Sequence, residues 1–246
     1  MNQLRKHAAK QGSRLLAAVV CLAFARVAVA SPSDFAALCG GKYDGTDSAL
    51  SAFEAAGWKL ASPEAAAEFS RSDFDADVAI SLVDGSFGDL VNSSVSVRLA
   101  AFDVKEGMEY LSAARNFEGS FATQEETATK TSILLRLHKG EGAEMVFAEL
   151  RFPKVYEKDK PLVCTLLTKD RANGLAFIKS LFPNENVEAS PIWLADLKDA
   201  TDTKPTLLGS VVLIDATALT EELGTELRAA MRLKIENADF RIAPAP

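Results

Sequence analysis

The chain has 246 residues, of which 48% are hydrophobic, 27 are basic and 34 are acidic. A hydrophobic fraction this high is not typical of an intrinsically disordered protein. The excess of acidic side chains argues against binding to nucleic acid or to an anionic membrane surface, because both attract basic proteins.

The first thirty residues predict a signal peptide that is cleaved after export. Their charged side chains are all basic: Arg5, Lys6, Lys10, Arg14 and Arg26. The apolar run 15–25 is eleven residues long, which suits an h-region and falls short of the roughly 20 residues that span a bilayer. Ala28-Val29-Ala30 is a cleavage signal before Ser31. The leader resembles a bacterial Sec signal in general form, so we expect a periplasmic or secreted protein that does not span the membrane.

Cleavage would change both the charge and the cysteine content of the chain. Five of the 27 basic residues lie in the leader, so 22 would remain against 34 acidic residues, a formal charge of −12. Cys39 and Cys164 would be the remaining cysteines, and an oxidising compartment favours a disulfide between them over two unrelated buried thiols. This bridge would close a loop of about 125 residues and stabilise the fold by about 4–5 kcal/mol in the chain-entropy model.

The segment 33–70 predicts three helices. The first carries Cys39, and the second begins at Thr46 and ends at Gly57. The sequence Ser-Pro-Glu at 62–64 is a strong helix start, since it supplies a capping hydroxyl, a proline in the first turn and an early acidic side chain. We expect this third helix to end near Phe69.

An acidic segment follows the third predicted helix. Asp73, Asp75 and Asp77 stand at alternate positions, and Asp84 completes a partial calcium-loop pattern at its twelfth position. Val78 occupies the place where a calcium loop needs glycine. We therefore interpret the segment as a solvated linker.

Most of the remaining chain predicts strands. Two strands are indicated by apolar alternation at Val78, Ile80 and Leu82 and at Val95, Val97, Leu99 and Ala101. A helix over 105–116 and a polar loop over 119–129 separate them from a hairpin over 133–137 and 146–152. A strand over 162–168 and a helix capped by Asp170 come next, while 191–197 is ambiguous. The segments 207–214 and 227–235 predict a second hairpin; the latter could also form a helix, but its strict alternation favours a strand.

This order of elements predicts an α+β fold, in which N-terminal helices pack on a mainly antiparallel sheet with one late helix. We expect residues 1–30 to be the signal peptide, 31–242 to form a single α+β domain and 243–246 to be a disordered tail.

Several kinds of chemistry find no support in the sequence. His7 lies in the leader, which leaves His138 as the one histidine for a metal site or a catalytic triad. We interpret it as a solvent-facing residue beside a turn. The chain has no G-x-S-x-G elbow and no glycine-rich nucleotide loop. No metal, cofactor or catalytic residue is therefore predicted.

A basic patch is the remaining candidate site. Arg228 and Arg232 share one side of the predicted strand 227–235, and Arg98 and Arg136 lie on the corresponding side of theirs. If these strands are neighbours, the patch would suit an anionic small molecule or an acidic partner. The alternative is that each arginine pairs with a local acid such as Glu149.

These observations favour a non-enzymatic exported module that binds a small ligand or an envelope protein. A small inhibitor or immunity-type protein would have the same sequence features. The rival hypothesis is an envelope hydrolase that uses paired carboxylates and needs no histidine. Its candidate residues are Asp73, Asp75, Asp77, Glu106 and Glu109.

Overall fold

The computed structural model describes residues 31–95, 103–115, 132–154, 161–200 and 208–240. Their α-helices are α1 Pro32–Cys39, α2 Thr46–Ala55, α3 Pro63–Asp84, α4 Phe87–Val95, α5 Val104–Arg115, α6 Arg171–Leu181 and α7 Ala216–Leu223. Their strands are β1 Lys59–Leu60, β2 Ser132–Lys139, β3 Val146–Pro153, β4 Leu162–Thr168, β5 Ile192–Asp196, β6 Leu208–Ile214 and β7 Met231–Asn237. The predicted signal peptide, the loop over 119–129 and the tail over 243–246 lie outside the described residues.

The strands form one antiparallel sheet in the order β1-β2-β3-β4-β7-β6-β5. This confirms the predicted α+β fold. β7, the last of the described strands in chain order, lies in the interior of the sheet between β4 and β6, whereas the first, β1, forms one edge.

One face of the sheet, which we call the disulfide face, is covered by α1, α2 and α6. Residues at alternate positions of β3, β4 and β7 point into a continuous apolar core on this side. Phe35 of α1, Phe53 of α2 and Trp58 form a cluster in which the ring centroids lie 5.7–6.2 Å apart. These large buried side chains attach the two N-terminal helices to the sheet through the hydrophobic effect.

The other face, which we call the α3 face, is covered by α3, α4, α5 and α7. Helix α3 crosses the strands and contacts each one from β2 to β7. Phe69, Ala76 and Ala79 of α3 pack against apolar residues such as Phe147 and Leu167 of the sheet. The spacing of these small and large side chains places one stripe of the helix against the strands.

Helix α3 begins as predicted but is much longer than expected. The Ser62 hydroxyl accepts a hydrogen bond from the Ala65 N–H, and the helix ends where Gly85 adopts a left-handed conformation. The predicted end at Phe69, the acidic linker over 73–77 and the strand over 78–82 are all wrong, because these residues continue the helix. The alternation of apolar residues was misleading, since Val78 and Ala79 are adjacent and both buried.

The later elements mostly follow the predictions. The helix over 105–116, the first hairpin, β4 and the helix capped by Asp170 are confirmed, and the ambiguous segment 191–197 contains β5. Helix α7 separates β6 from β7, so the second predicted hairpin is an antiparallel pair joined by a helix. Strand β7 begins at Met231 rather than at 227. Of the strand predicted over 95–101, Val95 ends α4 and the rest lies outside the described residues.

Candidate functional site

The predicted disulfide is present and attaches the first helix to the middle of the sheet. Cys39 ends α1 and Cys164 lies in β4, with an S–S distance of 2.14 Å and a Cα–Cα distance of 6.1 Å. Both cysteines are fully buried. Asn237 at the end of β7 holds the same helix end, because its side-chain amide donates hydrogen bonds to the Cys39 and Gly41 carbonyls at 2.7 and 2.8 Å.

The arginines of the predicted patch all have acidic partners where they are described. Arg98 lies outside the described residues. The Nε atom of Arg136 is 3.2 Å from a Glu149 carboxylate oxygen, and its guanidinium lies 5.3 Å from the ring centroid of Phe69. Arg151 contacts the other oxygen of Glu149 at 3.1 Å. Glu149 is therefore the local acid expected for Arg136.

Arg228 and Arg232 instead bind acids on α3. The Arg232 Nη1 atom lies 2.9 Å from Asp73 and 2.6 Å from Asp77. The backbone N–H of Arg228 donates to Asp75 at 2.8 Å, and its side chain lies 3.5 Å from a Glu68 oxygen. We call these six residues the α3 clamp. The binding role of the arginine patch stays a prediction; the contacts seen here hold a helix against the sheet.

The α3 clamp changes the electrostatics of Asp77. Burial raises the pKa of Asp77 above its ordinary value despite the opposing attraction of Arg232, and the negative charge of Asp73 adds to the increase. The Arg232 side chain is 13% exposed, whereas those of Asp73 and Asp77 are 36% and 50% exposed. Both carboxylates are thus at the edge of the helix–sheet interface and share one guanidinium.

This geometry brings Asp73 and Asp77 together on one guanidinium but does not place the other three catalytic candidates with them. Asp75 is only 1% exposed and accepts the backbone hydrogen bond from Arg228. Glu106 and Glu109 are exposed on α5, a different helix. Among the described residues, no three metal-binding side chains come together. The partial calcium-loop pattern is part of α3 and has helical geometry.

A different site, missed by the sequence analysis, lies at the end of the first hairpin. It is a cleft of about 400 Å³, which we call the hairpin cleft. Its lining residues come from the segment around β1, from the end of β2 and from the turn after it: Gly57, Lys59, His138, Lys139, Gly140, Glu141 and Glu144. The volume lies within the range of pockets that bind small ligands.

His138 lines this cleft beside the turn, as expected, and is half-buried rather than fully exposed. It lies within β2, where it pairs with Phe147 of β3 and Lys59 of β1. The Nδ1 atom of His138 is buried and has no hydrogen-bond partner among the described residues. A buried polar atom without a partner is costly, so this nitrogen is a local cost to the stability of the hairpin.

The turn beside His138 has a fixed shape. Gly140 has a φ of +84°, and a Cβ atom there would lie 2.7 Å from the Glu144 carbonyl oxygen. The Lys139 ammonium donates to the Ala56 carbonyl at 2.8 Å, which connects the hairpin end to the end of α2. The sequence predicts the hairpin, but nothing in its turn indicates that β1 and the end of α2 enclose a cleft.

A second, shallower cleft of about 390 Å³ crosses the α3 face over β5, β6 and β7. Lys198 and Asp196 are on its wall and contact each other at 3.0 Å. Lys234 and Glu236 of β7 line it as well. We call it the strand groove.

No protein family, curated protein or solved structure matches this chain. Within the ranges that the structure describes, none of the helices combines the length and the hydrophobicity needed to cross a membrane. Function must therefore be inferred from the geometry of the chain itself.

Proposed function

We propose that this chain is an exported, non-enzymatic protein that binds a small ligand in the hairpin cleft. The observation that carries the proposal is a cleft of about 400 Å³ lined by His138 and by charged side chains that have no ion pair among the described residues. A polar ligand would give these charged groups partners.

The leader and the disulfide support an extracytoplasmic location. The sequence of residues 1–30 has the features of a cleaved signal peptide. The Cys39–Cys164 bridge is buried on the disulfide face, and disulfides of this kind form and persist in oxidising compartments. The periplasm and the extracellular space both fit these features.

The rival hydrolase hypothesis receives less support from the geometry. Its best pair of carboxylates, Asp73 and Asp77, contacts the same Arg232 nitrogen at 2.9 and 2.6 Å. Each of these carboxylates therefore has one oxygen engaged by the guanidinium. Neither aspartate lines the hairpin cleft or the strand groove.

Native mass spectrometry of the protein purified from cells that express the full gene tests the proposal. We expect a mature chain that begins at Ser31 and carries a bound small molecule. The same preparation of His138→Phe should carry less of it, whereas Lys198→Met, a change in the strand groove, should not alter the amount. A ligand retained fully by the His138 variant would contradict the site, and a chain that begins at Met1 would contradict export.

A further inference from the structure

The hairpin cleft is lined by charges of both signs, and these charges limit the kind of ligand that it can bind. Lys59 and Lys139 contribute two positive charges, and Glu141 and Glu144 contribute two negative ones. If the imidazole is counted as neutral, the formal charge of the lining is zero. The two glutamates would repel a strongly anionic ligand, and the two lysines would repel a strongly cationic one.

None of the four charged lining residues has a charged partner among the described residues. The Lys139 ammonium is bound to the Ala56 carbonyl. The ion pairs and side-chain hydrogen bonds of the described residues include none for Lys59, Glu141 or Glu144. These three side chains are exposed at the cleft and keep their charges available for a ligand.

The positive and negative groups occupy different ends of the cleft. Lys59 and His138 are directly opposite each other in the β1–β2 pair, so their side chains project from the same face with Cβ atoms about 5 Å apart. Glu141 and Glu144 follow in the turn beyond β2, around the short helical turn Gly142–Glu144. The cleft therefore has a positive, hydrogen-bonding end at the strands and a negative end at the turn.

We propose that the hairpin cleft binds a small zwitterion, namely a free α-amino acid or a dipeptide. The proposal rests on the binding role argued above and names its ligand class. The ligand carboxylate is held by the Lys59 ammonium on the His138 side of the cleft, and the ligand ammonium is held by Glu141 and Glu144. One molecule then provides partners for all three free charges.

The size and the charge pattern exclude other simple ligands. A cleft of about 400 Å³ lies near the lower end of small-ligand pockets, which suits an amino acid or a dipeptide. Inorganic phosphate would satisfy Lys59 and His138 but would be repelled by the two glutamates. A divalent cation would be attracted by the glutamates but repelled by Lys59.

Titration of the full-gene product, followed by the imidazole resonances of its histidines, tests this ligand class. His138→Gln assigns the His138 resonance. The probes are the twenty amino acids, glycylglycine, acetate, ethylamine and inorganic phosphate. We expect at least one amino acid or glycylglycine to shift the His138 resonance with an affinity at least tenfold higher than acetate, ethylamine or phosphate.

Variants at the two ends of the cleft provide a second readout. Lys59→Met and the double change Glu141→Gln with Glu144→Gln should each weaken binding of the best zwitterion by about tenfold or more. The matched controls are Lys198→Met and Glu236→Gln, which change the same residue types in the strand groove. All five residues are exposed, so these changes should leave folding intact.

The outcomes separate the ligand class from the binding role. If acetate or phosphate binds as tightly as the best zwitterion, or if the glutamine variants bind it unchanged, the zwitterion proposal is overturned while the cleft remains a binding site. If no probe shifts the His138 resonance and the purified protein carries a ligand, the ligand belongs to another class. If no probe binds and no ligand is carried, both proposals are wrong.

Discussion

Both faces of the sheet bury apolar side chains, but they differ in the additional interactions that attach the covering helices. On the disulfide face, β4 presents Leu162, Cys164 and Leu166, which are all fully buried. On the α3 face the same strand presents Thr165 between Val163 and Leu167, and its neighbour β7 presents Arg232 and two further charged residues. Both faces have an apolar core; the disulfide face adds a covalent bond, and the α3 face adds charged groups that bind α3.

This difference shows how one strand can serve two interfaces. Alternate side chains of a strand point to opposite faces, so β7 contributes Leu233 and Ile235 to one core and Arg232 to the α3 clamp. Apolar burial is non-directional, whereas the guanidinium of Arg232 specifies where Asp73 and Asp77 must lie. The α3 clamp thus fixes the position of a helix that apolar contacts alone would allow to slide.

The largest effect should come from removing the disulfide. We expect the double change Cys39→Ala with Cys164→Ala to lower the free energy of unfolding by about 4–5 kcal/mol, because the bridge closes a long loop in the unfolded chain. Urea unfolding measures the loss. The wild-type protein unfolded with a reducing agent is the control and should resemble the variant. A loss below about 1 kcal/mol would show that the disulfide face is held by its apolar core alone.

The next largest losses of stability are expected from variants of two neighbouring β3 residues, one on each face of the sheet. Leu150 is fully buried on the disulfide face, and Glu149 is 6% exposed on the α3 face with Arg136 and Arg151 as partners. We expect Leu150→Ala to cost about 2–5 kcal/mol because it leaves a cavity. Glu149→Gln keeps the shape of the side chain and should cost about 1–2 kcal/mol through weaker hydrogen bonds to charged partners.

Thermal or urea unfolding of the two variants under identical conditions provides the measurement. Glu188→Gln serves as the control for a charge lost at the surface, since its side chain is 53% exposed, and it should change stability by less than about 0.5 kcal/mol. If Glu149→Gln proves more destabilising than Leu150→Ala, charge pairing contributes more than burial to this strand, and the comparison of the faces is reversed.

The smallest effect is a pH dependence located on the α3 face. The pKa of Asp77 is raised in the folded protein above its ordinary value of 3.8. Between these two values the folded state holds the proton more tightly than the unfolded chain. The contribution of Asp77 to the free energy of unfolding therefore falls as the pH rises from about 3.8 through the raised pKa.

Urea unfolding across this pH range, for the wild type and for Asp77→Asn, measures the contribution. We expect the stability of the wild type relative to the variant to decrease with rising pH, by a small amount because the side chain is half exposed. Asp199→Asn, at an exposed aspartate, is the control. A relative stability that increases with pH would mean that Arg232, and not burial, determines the pKa of Asp77.

The sequence was informative for the disulfide face and misleading for the α3 face. Strands β2, β3 and β4 were recognisable because one side of each is consistently apolar, a pattern that depends only on the strand itself. Helix α3 was not, because Asp73, Asp75 and Asp77 look like a solvated linker when Arg228 and Arg232 are more than 150 residues away in the chain. A buried charge can be interpreted only when its partner is known.

The candidate site was harder to predict than the fold for a related reason. The hairpin turn and His138 were both identified in the sequence. Strand β1 has only two residues, Lys59 and Leu60, and such a short strand leaves almost no periodic signal. Because β1 places Lys59 opposite His138, the cleft depends on a strand pairing that no local sequence pattern predicts.

The interior position of β7 has a consequence for biosynthesis. Ribosomes make the chain from its N-terminus, yet β7, which lies between β4 and β6, is the last of the described strands to be synthesised. Asn237, which holds the end of α1, arrives at the same late stage. A nascent or prematurely terminated chain that lacks residues 231–237 leaves the edges of β4 and β6 unpaired, which is a hazard for aggregation. Chaperones and proteases would thus encounter exposed strand edges on this protein until residues 231–237 are made.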